Sequence, residues 1–261
     1  MMIDTHCHLY TDAFDHDRDQ TVARAIEAGV RTLILPGIDK ANHPALMRTA
    51  AAYPHLCLPA IGLHPTSVGS DYEDELDFVE QQLDAAAFVA IGEIGIDGYW
   101  STEFMAQQQS AFERQIAWAA KRRLPVMIHC RNAFNELFDI LYHRRDLGVT
   151  GVFHAFSGSY EQYKQIQKCG EFKIGIGGVV TYKNAGLAQT VANIDLSHIV
   201  LETDAPWLTP VPHRGQRNES SYLSIIIQKL SEVLHRPCEE MAAITTKNAC
   251  TLFQLPYICA L

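Results

Sequence analysis

No apolar run in this sequence approaches the roughly 20 residues of a membrane span. No C-x-x-C occurs either. The seven cysteines stand singly at positions 7, 57, 130, 169, 238, 250 and 259, an odd set that makes neither a disulfide framework nor a zinc ribbon. They are expected to be reduced and to pack as small apolar residues. Positive charge is scarce: 21 Lys and Arg stand against 30 Asp and Glu, a net charge of −9, which excludes the basic footprint usual in a protein that coats duplex DNA. Glycines do not form a dinucleotide-binding fingerprint after the first strand; Gly175-Ile176-Gly177-Gly178 comes late and lacks the second spacing. No linker, low-complexity tract or composition break divides the chain, so residues 1–261 read as one domain. A signal peptide would have to include and discard Asp4, His6 and His8, and Cys259-Ala260-Leu261 places its cysteine one position late for prenylation. The expectation is a cytoplasmic protein with no membrane association, more simply monomeric than oligomeric.

What the chain has is alternation. Short runs rich in Val, Ile and Leu lie at 1–6, 31–36, 56–62, 88–93, 125–129, 150–154, 172–177 and 198–204. Amphipathic stretches separate them; Phe104 to Arg123, for example, carries Met105, Phe112, Ile116, Ala119 and Ala120 at helical spacing. Two more helices are predicted over 222–234 and 239–253. Strand and helix in strict alternation imply parallel strands with crossover helices. Eight such units in a chain of 261 residues predict an α/β fold, a (β/α)8 TIM barrel, which typically needs roughly 250 residues. An open sheet is the alternative, because a pattern does not record closure.

The chemistry lies in what ends these strands. The first runs into His6-Cys7-His8, the third into His64, the fourth into Glu93, the fifth into His129-Cys130-Arg131, the sixth into His154, the eighth into Glu202-Thr203-Asp204. An H-x-H alone means little in a chain with twelve histidines. In a barrel, however, all strand C-termini converge on one face, where active sites form. Side chains two apart on a strand share a direction, so His6 and His8 can chelate one ion, while Cys7 and Cys130 are expected to point away. The set suffices for two divalent metal ions roughly 3.5–4 Å apart. We assign His6, His8 and Asp204 to the first ion, His129 and His154 to the second, and Glu93 as the bridge. Glu202 is expected to act structurally, orienting a ligand histidine.

Several ordered motifs also resemble the TatD family of metal-dependent deoxyribonucleases, within the amidohydrolase-like barrels. They are I-D-T-H-C-H at 3–8, G-L-H-P at 62–65, G-E-I-G-I-D at 92–97, P-V-M-I-H-C-R at 125–131, F-H-A-F-S-G at 153–158, L-E-T-D-A-P-W-L at 201–208 and P-H-R-G-Q-R-N-E at 212–219. The resemblance spans nearly the whole chain. It implies Mg2+- or Mn2+-dependent phosphodiester hydrolysis, often from a 3′ DNA end, with the six ligands above. It also implies that His64 and the Arg214 region meet the substrate. The chain departs from the family at Gly98, where an aromatic is common, at Asn132, where Asp is common, and at Ser220, where Pro is common. Asn132 is expected to cap the helix that follows.

On this reading Asp204 orients the attacking water and accepts its proton, and His64 touches phosphate. Arg214 and Arg217 supply fork-shaped phosphate donors. Arg131 serves as either an ion-pair partner or a phosphate contact. Imidazole ligands suit Zn2+ or Mn2+ better than Mg2+, although availability favours Mg2+ or Mn2+ as working ions. The acidic balance suits DNA ends or short single strands, bound weakly and without sequence preference. A two-metal hydrolase of a small phosphoester, amide or lactone remains an alternative on the same barrel. So does a non-catalytic metal-binding protein, although no ligand is missing.

Overall fold

In the computed structural model of the protein, which describes residues 1–256, eight parallel strands alternate with helices along the chain. The strands are β1 (Met2–Asp4), β2 (Val30–Leu35), β3 (Cys57–Pro59), β4 (Ile91–Asp97), β5 (Val126–Arg131), β6 (Gly151–Phe153), β7 (Phe172–Ile176) and β8 (Ile199–Leu201). Between them run α1 (Arg18–Glu27), α2 (His43–Ala52), α3 (Tyr72–Ala85), α4 (Met105–Arg122), α5 (Phe134–His143), α6 (Tyr160–Cys169) and α7 (Leu187–Val191); α8 (Leu223–Leu234) and α9 (Cys238–Leu252) follow β8. The Cys259-Ala260-Leu261 tripeptide lies outside the described residues.

The strands pair as two arcs, β1 to β3 and β4 to β8, each in chain order. Two seams join them. At one, Gly92 N–H donates to Ile61 O at 2.8 Å and Ile61 N–H to Ala90 O at 3.3 Å. At the other, Thr5 N–H donates to Leu201 O (3.0 Å), Asp204 N–H to His6 O (2.9 Å) and His8 N–H to Ala205 O (2.8 Å). The ring therefore closes, as the alternation predicts, and the open sheet is excluded. Strand limits differ from expectation where the seams fall. The eighth strand, predicted over 198–204, stops at Leu201 because beyond it only isolated bonds reach the first strand. The fourth, predicted to end at Glu93, runs on to Asp97.

Inside the ring, Ile3, Ile34, Ala60, Ala90, Met127, Val152 and Val200 form one buried cluster, closed from below by Ala249, Cys250, Leu252 and Phe253. A larger cluster fills the space between strands and helices, to which α4 contributes Phe112, Ile116 and Ala119. Truncating one such aliphatic side chain to alanine costs about 2–5 kcal/mol. The period of two then sets what lies above the apolar layer. From Met127 the same face of β5 continues to His129 and Arg131, from Val152 to His154, and from Val200 to Glu202 and Asp204.

Asn132 does not cap α5. That position belongs to Ala133, which makes no side-chain cap bond. Asn132 instead takes a left-handed conformation (φ 52°), which Asn tolerates better than most residues.

Candidate metal centre

Glu93 stands at an irregularity in the β4–β5 register, which passes from Gly92↔Met127 to Ile94↔Ile128 and leaves Glu93 without a partner. Such a bulge re-aims a side chain, and here it delivers a buried carboxylate to the centre of the cluster. Its two oxygens divide the surrounding imidazoles. Oε2 lies 3.0 Å from His6 Nε2 and 3.6 Å from His8 Nε2. Oε1 lies 3.0 Å from His129 Nδ1, 3.0 Å from His154 Nε2 and 3.2 Å from His64 Nε2. Asp204 Oδ1 joins the first set, 3.8 Å from His6 and 3.7 Å from His8. Cys7 and Cys130 belong to none of the ligand groupings among the described residues; Cys7 instead lies 3.4 Å from the Ser220 hydroxyl.

Hydrogen bonds fix which ring nitrogen faces the centre. Tyr10 donates its hydroxyl proton to Pro36 O at 2.6 Å, so its bond to His8 Nδ1 at 2.9 Å must be donated by His8. His8 Nε2 is thereby left with a lone pair pointing inward. Asp97 Oδ2 holds His129 Nε2 at 2.8 Å, leaving Nδ1 for the centre. His64 differs. Its Nδ1 accepts from the Thr66 amide at 3.1 Å, so its proton sits on Nε2 and points at Glu93.

Two buried glutamines two turns apart on one face of α4 steady these segments. Gln108 clamps both backbone groups of Asp97 (2.8 and 3.2 Å), and Gln115 clamps both of Leu63, the residue before His64 (2.7 and 3.2 Å). Tyr10, Asp97, Gln108 and Gln115 were not singled out from sequence. Asp97 was visible only as the last letter of a motif, and the other three only as polarity at positions that are otherwise core.

The charge pattern follows from burial and contact. Burial works to raise Glu93, but His154, His64 and His6 outweigh it and hold the carboxylate well below its ordinary range. Burial lowers His6, His8 and His64. It opposes protonation of His154 and His129 as well, yet the Glu93 and Glu202 carboxylates raise the first, and Asp97 and Glu93 raise the second. Burial pushes Asp204 up to about 8, with Glu93 and Glu202 adding to it and His154 opposing.

Divalent ions fit this donor set. His6 Nδ1, His154 Nδ1 and Glu202 Oε2 are buried without any hydrogen-bond partner, and His6 and His8 bring Nε2 atoms to 3.1 Å from one another. So many converging imidazole nitrogens and carboxylate oxygens are costly to bury unless a cation is shared among them.

The other expected residues scatter. Above the cluster opens a cavity of about 710 Å³, lined by His8, His64, Glu93, His129, His154 and Asp204 and also by Trp100, Arg131 and Trp207. Arg131 lies 3.6 Å above the Tyr99 ring and has no ion-pair partner among the described residues. Arg214 and Arg217 do not line this cavity. Arg214 stacks on Tyr182 at 4.3 Å. Arg217 is committed to Asp17 through bonds of 2.6 and 2.7 Å, so of the three arginines named from sequence Arg131 is the one that lines the cavity. Glu202 Oε1 accepts from the Ala155 amide and lies 3.5 Å from His154 Nδ1, and Glu202 also forms with His6 and His154 a grouping whose atoms could share an ion.

A parallel barrel with a buried histidine–carboxylate cluster at the strand C-termini suits a metal-dependent hydrolase. The comparisons narrow this. The family model described as TatD related DNase matches residues 3–254, and the chain belongs to that family. It is 34% identical over 256 residues to the uncharacterized metal-dependent hydrolase YabD of Bacillus subtilis, covering 98% of this chain and all of that one. It is 32% identical over 260 residues to the 3′-5′ ssDNA/RNA exonuclease TatD of Pectobacterium parmentieri, covering 97% of this chain and all of the relative. The crystal structure of the TatD homologue YjjV from Escherichia coli superposes with a TM-score of 0.91 at 31% identity, covering 98% of both chains. No helix among the described residues is long and apolar enough to cross a membrane.

Proposed function

We propose that this protein is a deoxyribonuclease that removes nucleotides from the 3′ ends of single-stranded DNA with two divalent cations, Mg2+ or Mn2+ in the cell, and with Zn2+ able to occupy the same ligands. The observation that carries the proposal is the division at Glu93, whose Oε2 serves one histidine pair and whose Oε1 serves another. His6, His8 and Asp204 would hold one cation, His129 and His154 the other, and Glu93 both. When bound, such cations acidify a water and offset charge on phosphoryl oxygens.

The chain's own residues do the rest. Asp204, whose Oδ1 lies beside His6 and His8, orients the attacking water and takes its proton. His64 carries its proton on the nitrogen that faces the cluster, so it donates to a phosphoryl oxygen rather than ligating. Arg131, free of a carboxylate partner at the cavity rim, suits a neighbouring phosphate. Arg214 stacks on Tyr182 and Arg217 pairs with Asp17, and neither lines the cavity. The relative from Pectobacterium parmentieri, named for ssDNA and RNA exonuclease action, supports the same substrate class.

The test is a 5′-labelled single-stranded oligonucleotide given to protein that has been stripped and reloaded with Mg2+, Mn2+ or Zn2+, beside Asp204→Asn. A metal-dependent ladder shortening from the 3′ end, absent in the variant, is the expected result. No cleavage by protein shown to bind two ions would overturn the nuclease and direct attention to small phosphoesters, amides or lactones.

A further inference from the structure

Two tryptophans at this cavity are exposed although they are anchored to the metal cluster. Trp100 is 70% exposed and Trp207 50% exposed, and both line the cavity. Large aromatic rings left in water beside a buried polar floor are unusual unless something covers them. Neither is on a free loop. Asp97 accepts from the Tyr99 and Trp100 amides with Oδ1 (2.8 and 3.0 Å) while its Oδ2 holds His129 (2.8 Å). Trp207 donates its amide to Asp204 O at 2.8 Å, and its carbonyl accepts from the buried Asn218 amide at 2.6 Å. Its ring meets His8 edge-on, with centroids 5.0 Å apart. The backbone of each tryptophan is thus tied to a segment that carries a ligand.

The topology places them across the site. Trp100 follows β4 and neighbours Arg131 at the end of β5, whereas Trp207 follows β8 beside His8 after β1. In a ring ordered β1 to β8, the β4–β5 edge lies opposite the β8–β1 seam. Arg131 stacks on Tyr99 at 3.6 Å and reaches Trp100 at 5.6 Å, which stiffens that wall. Between the walls lies the acidic and imidazole floor, and Ile38, Val179 and Leu208 complete an apolar lining.

We infer that Trp100 and Trp207 are base-stacking walls, one on each side of the scissile phosphate, and that they select single-stranded nucleic acid by the flat faces of its bases. The inference rests on the phosphodiesterase reading of the site. Every base offers a π-face, so stacking is tolerant of sequence, and a paired, stacked duplex cannot present its bases to such walls. Selection by ring faces also suits a protein of net charge −9, which has little cationic surface with which to hold a long backbone.

Two measurements on the metal-loaded full chain test this. The first is steady-state cleavage of a single-stranded oligonucleotide with either a normal or an abasic 3′-terminal nucleotide. Trp100→Ala or Trp207→Ala should raise KM for the normal end about ten-fold with kcat little changed. The wild type should lose the same factor on the abasic end, and the variant whose wall faces that base should show no further loss. The second is tryptophan fluorescence on titration with phosphorothioate hexathymidylate, with circular dichroism to verify folding. Trp118 is buried in the outer core and serves as the internal background. Quenching should fall in each variant. Quenching without cleavage would uphold the walls and overturn the nuclease. Absence of quenching, or variants that cleave with unchanged KM, would overturn the walls whether or not the oligonucleotide is cut.

Discussion

The Glu202 carboxylate occupies the space that a side chain on Gly175 would need: a Cβ there would stand 2.0 Å from Glu202 Oε2. Neighbouring β7 thus yields its side chain so that a buried carboxylate can reach His154 and the Ala155 amide. Gly175→Ala should displace Glu202, lower stability by about 1–3 kcal/mol and reduce bound metal. Thermal unfolding and elemental analysis of the purified variant check this. Full metal content at unchanged Tm would show that Glu202 does not position the cluster.

His64 and His129 both touch Glu93 Oε1, at 3.2 and 3.0 Å, yet their tautomers set different roles. His129→Asn should lose metal along with activity. His64→Asn should keep its metal and lose about 10²–10³ in kcat, the range for removing one donor to a developing oxyanion. Metal-to-protein ratios of the two variants separate the roles. A metal-poor His64→Asn would make His64 a ligand.

Metal loading should release protons. His154 and His129 are raised, burial opposing and carboxylate contacts prevailing, and Asp204 is pushed up to about 8. Near neutral pH all three tend to hold a proton that a cation must displace. Affinity should therefore fall as pH drops from about 8 to about 6. Calorimetric titration with Mn2+ in two buffers of different ionisation enthalpy reads the proton count directly, and equal heats in the two buffers would contradict it.

A second charge network sits away from the cavity. Asp17 pairs with Arg217 and Arg24, and Arg24 also holds Glu219 at 2.6 Å. Arg217 first and then Arg24, against some burial, hold Asp17 below its ordinary 3.8. For Glu219, burial pulls upward, but Arg24 and Ser221 prevail and hold it below 4.5. Both folded values are depressed, so this stability is fully present above the ordinary values and is lost as pH falls through the lower folded ones. Arg24→Met, which leaves the nearly buried Glu219 with only the more distant Arg217 at 3.9 Å and the Ser221 hydroxyl, should cost about 1–3 kcal/mol at pH 7. Denaturant titrations should show the gap to wild type narrowing below about pH 4. A gap independent of pH would assign the loss to packing instead.

The barrel was legible because alternation of apolar runs and helices leaves few topologies, and the convergence of histidines and carboxylates because such residues recur at strand ends. What escaped was set by contacts between distant residues. The bulge that re-aims Glu93 depends on register with β5, which no single strand records. Asp97 was visible only as the last letter of a motif, although its two oxygens tie His129 to the aromatic wall. The arginines are harder to place for the opposite reason. Arg217 lies in the right loop, but Asp17, 200 residues away in sequence, claims it, and charge in a sequence does not reveal its partner.

The two arcs of the ring carry one further consequence. His6 and His8 extend the first arc, while Glu93, His129, His154 and Asp204 belong to the second, and the strand ladders of the arcs meet at two thin seams, with Gly37 adding bonds to Gly92 and Glu93. A cation held by His6, His8, Glu93 and Asp204 would rivet one arc to the other where the strand ladder is sparsest, and would fasten the beginning of the chain to its last strand. Such an ion would act as a structural clasp before it acted as a reagent. By mass action it raises resistance to unfolding with its concentration, so the stripped barrel should first loosen between Ala205 and Cys7, opening like a ring at its join.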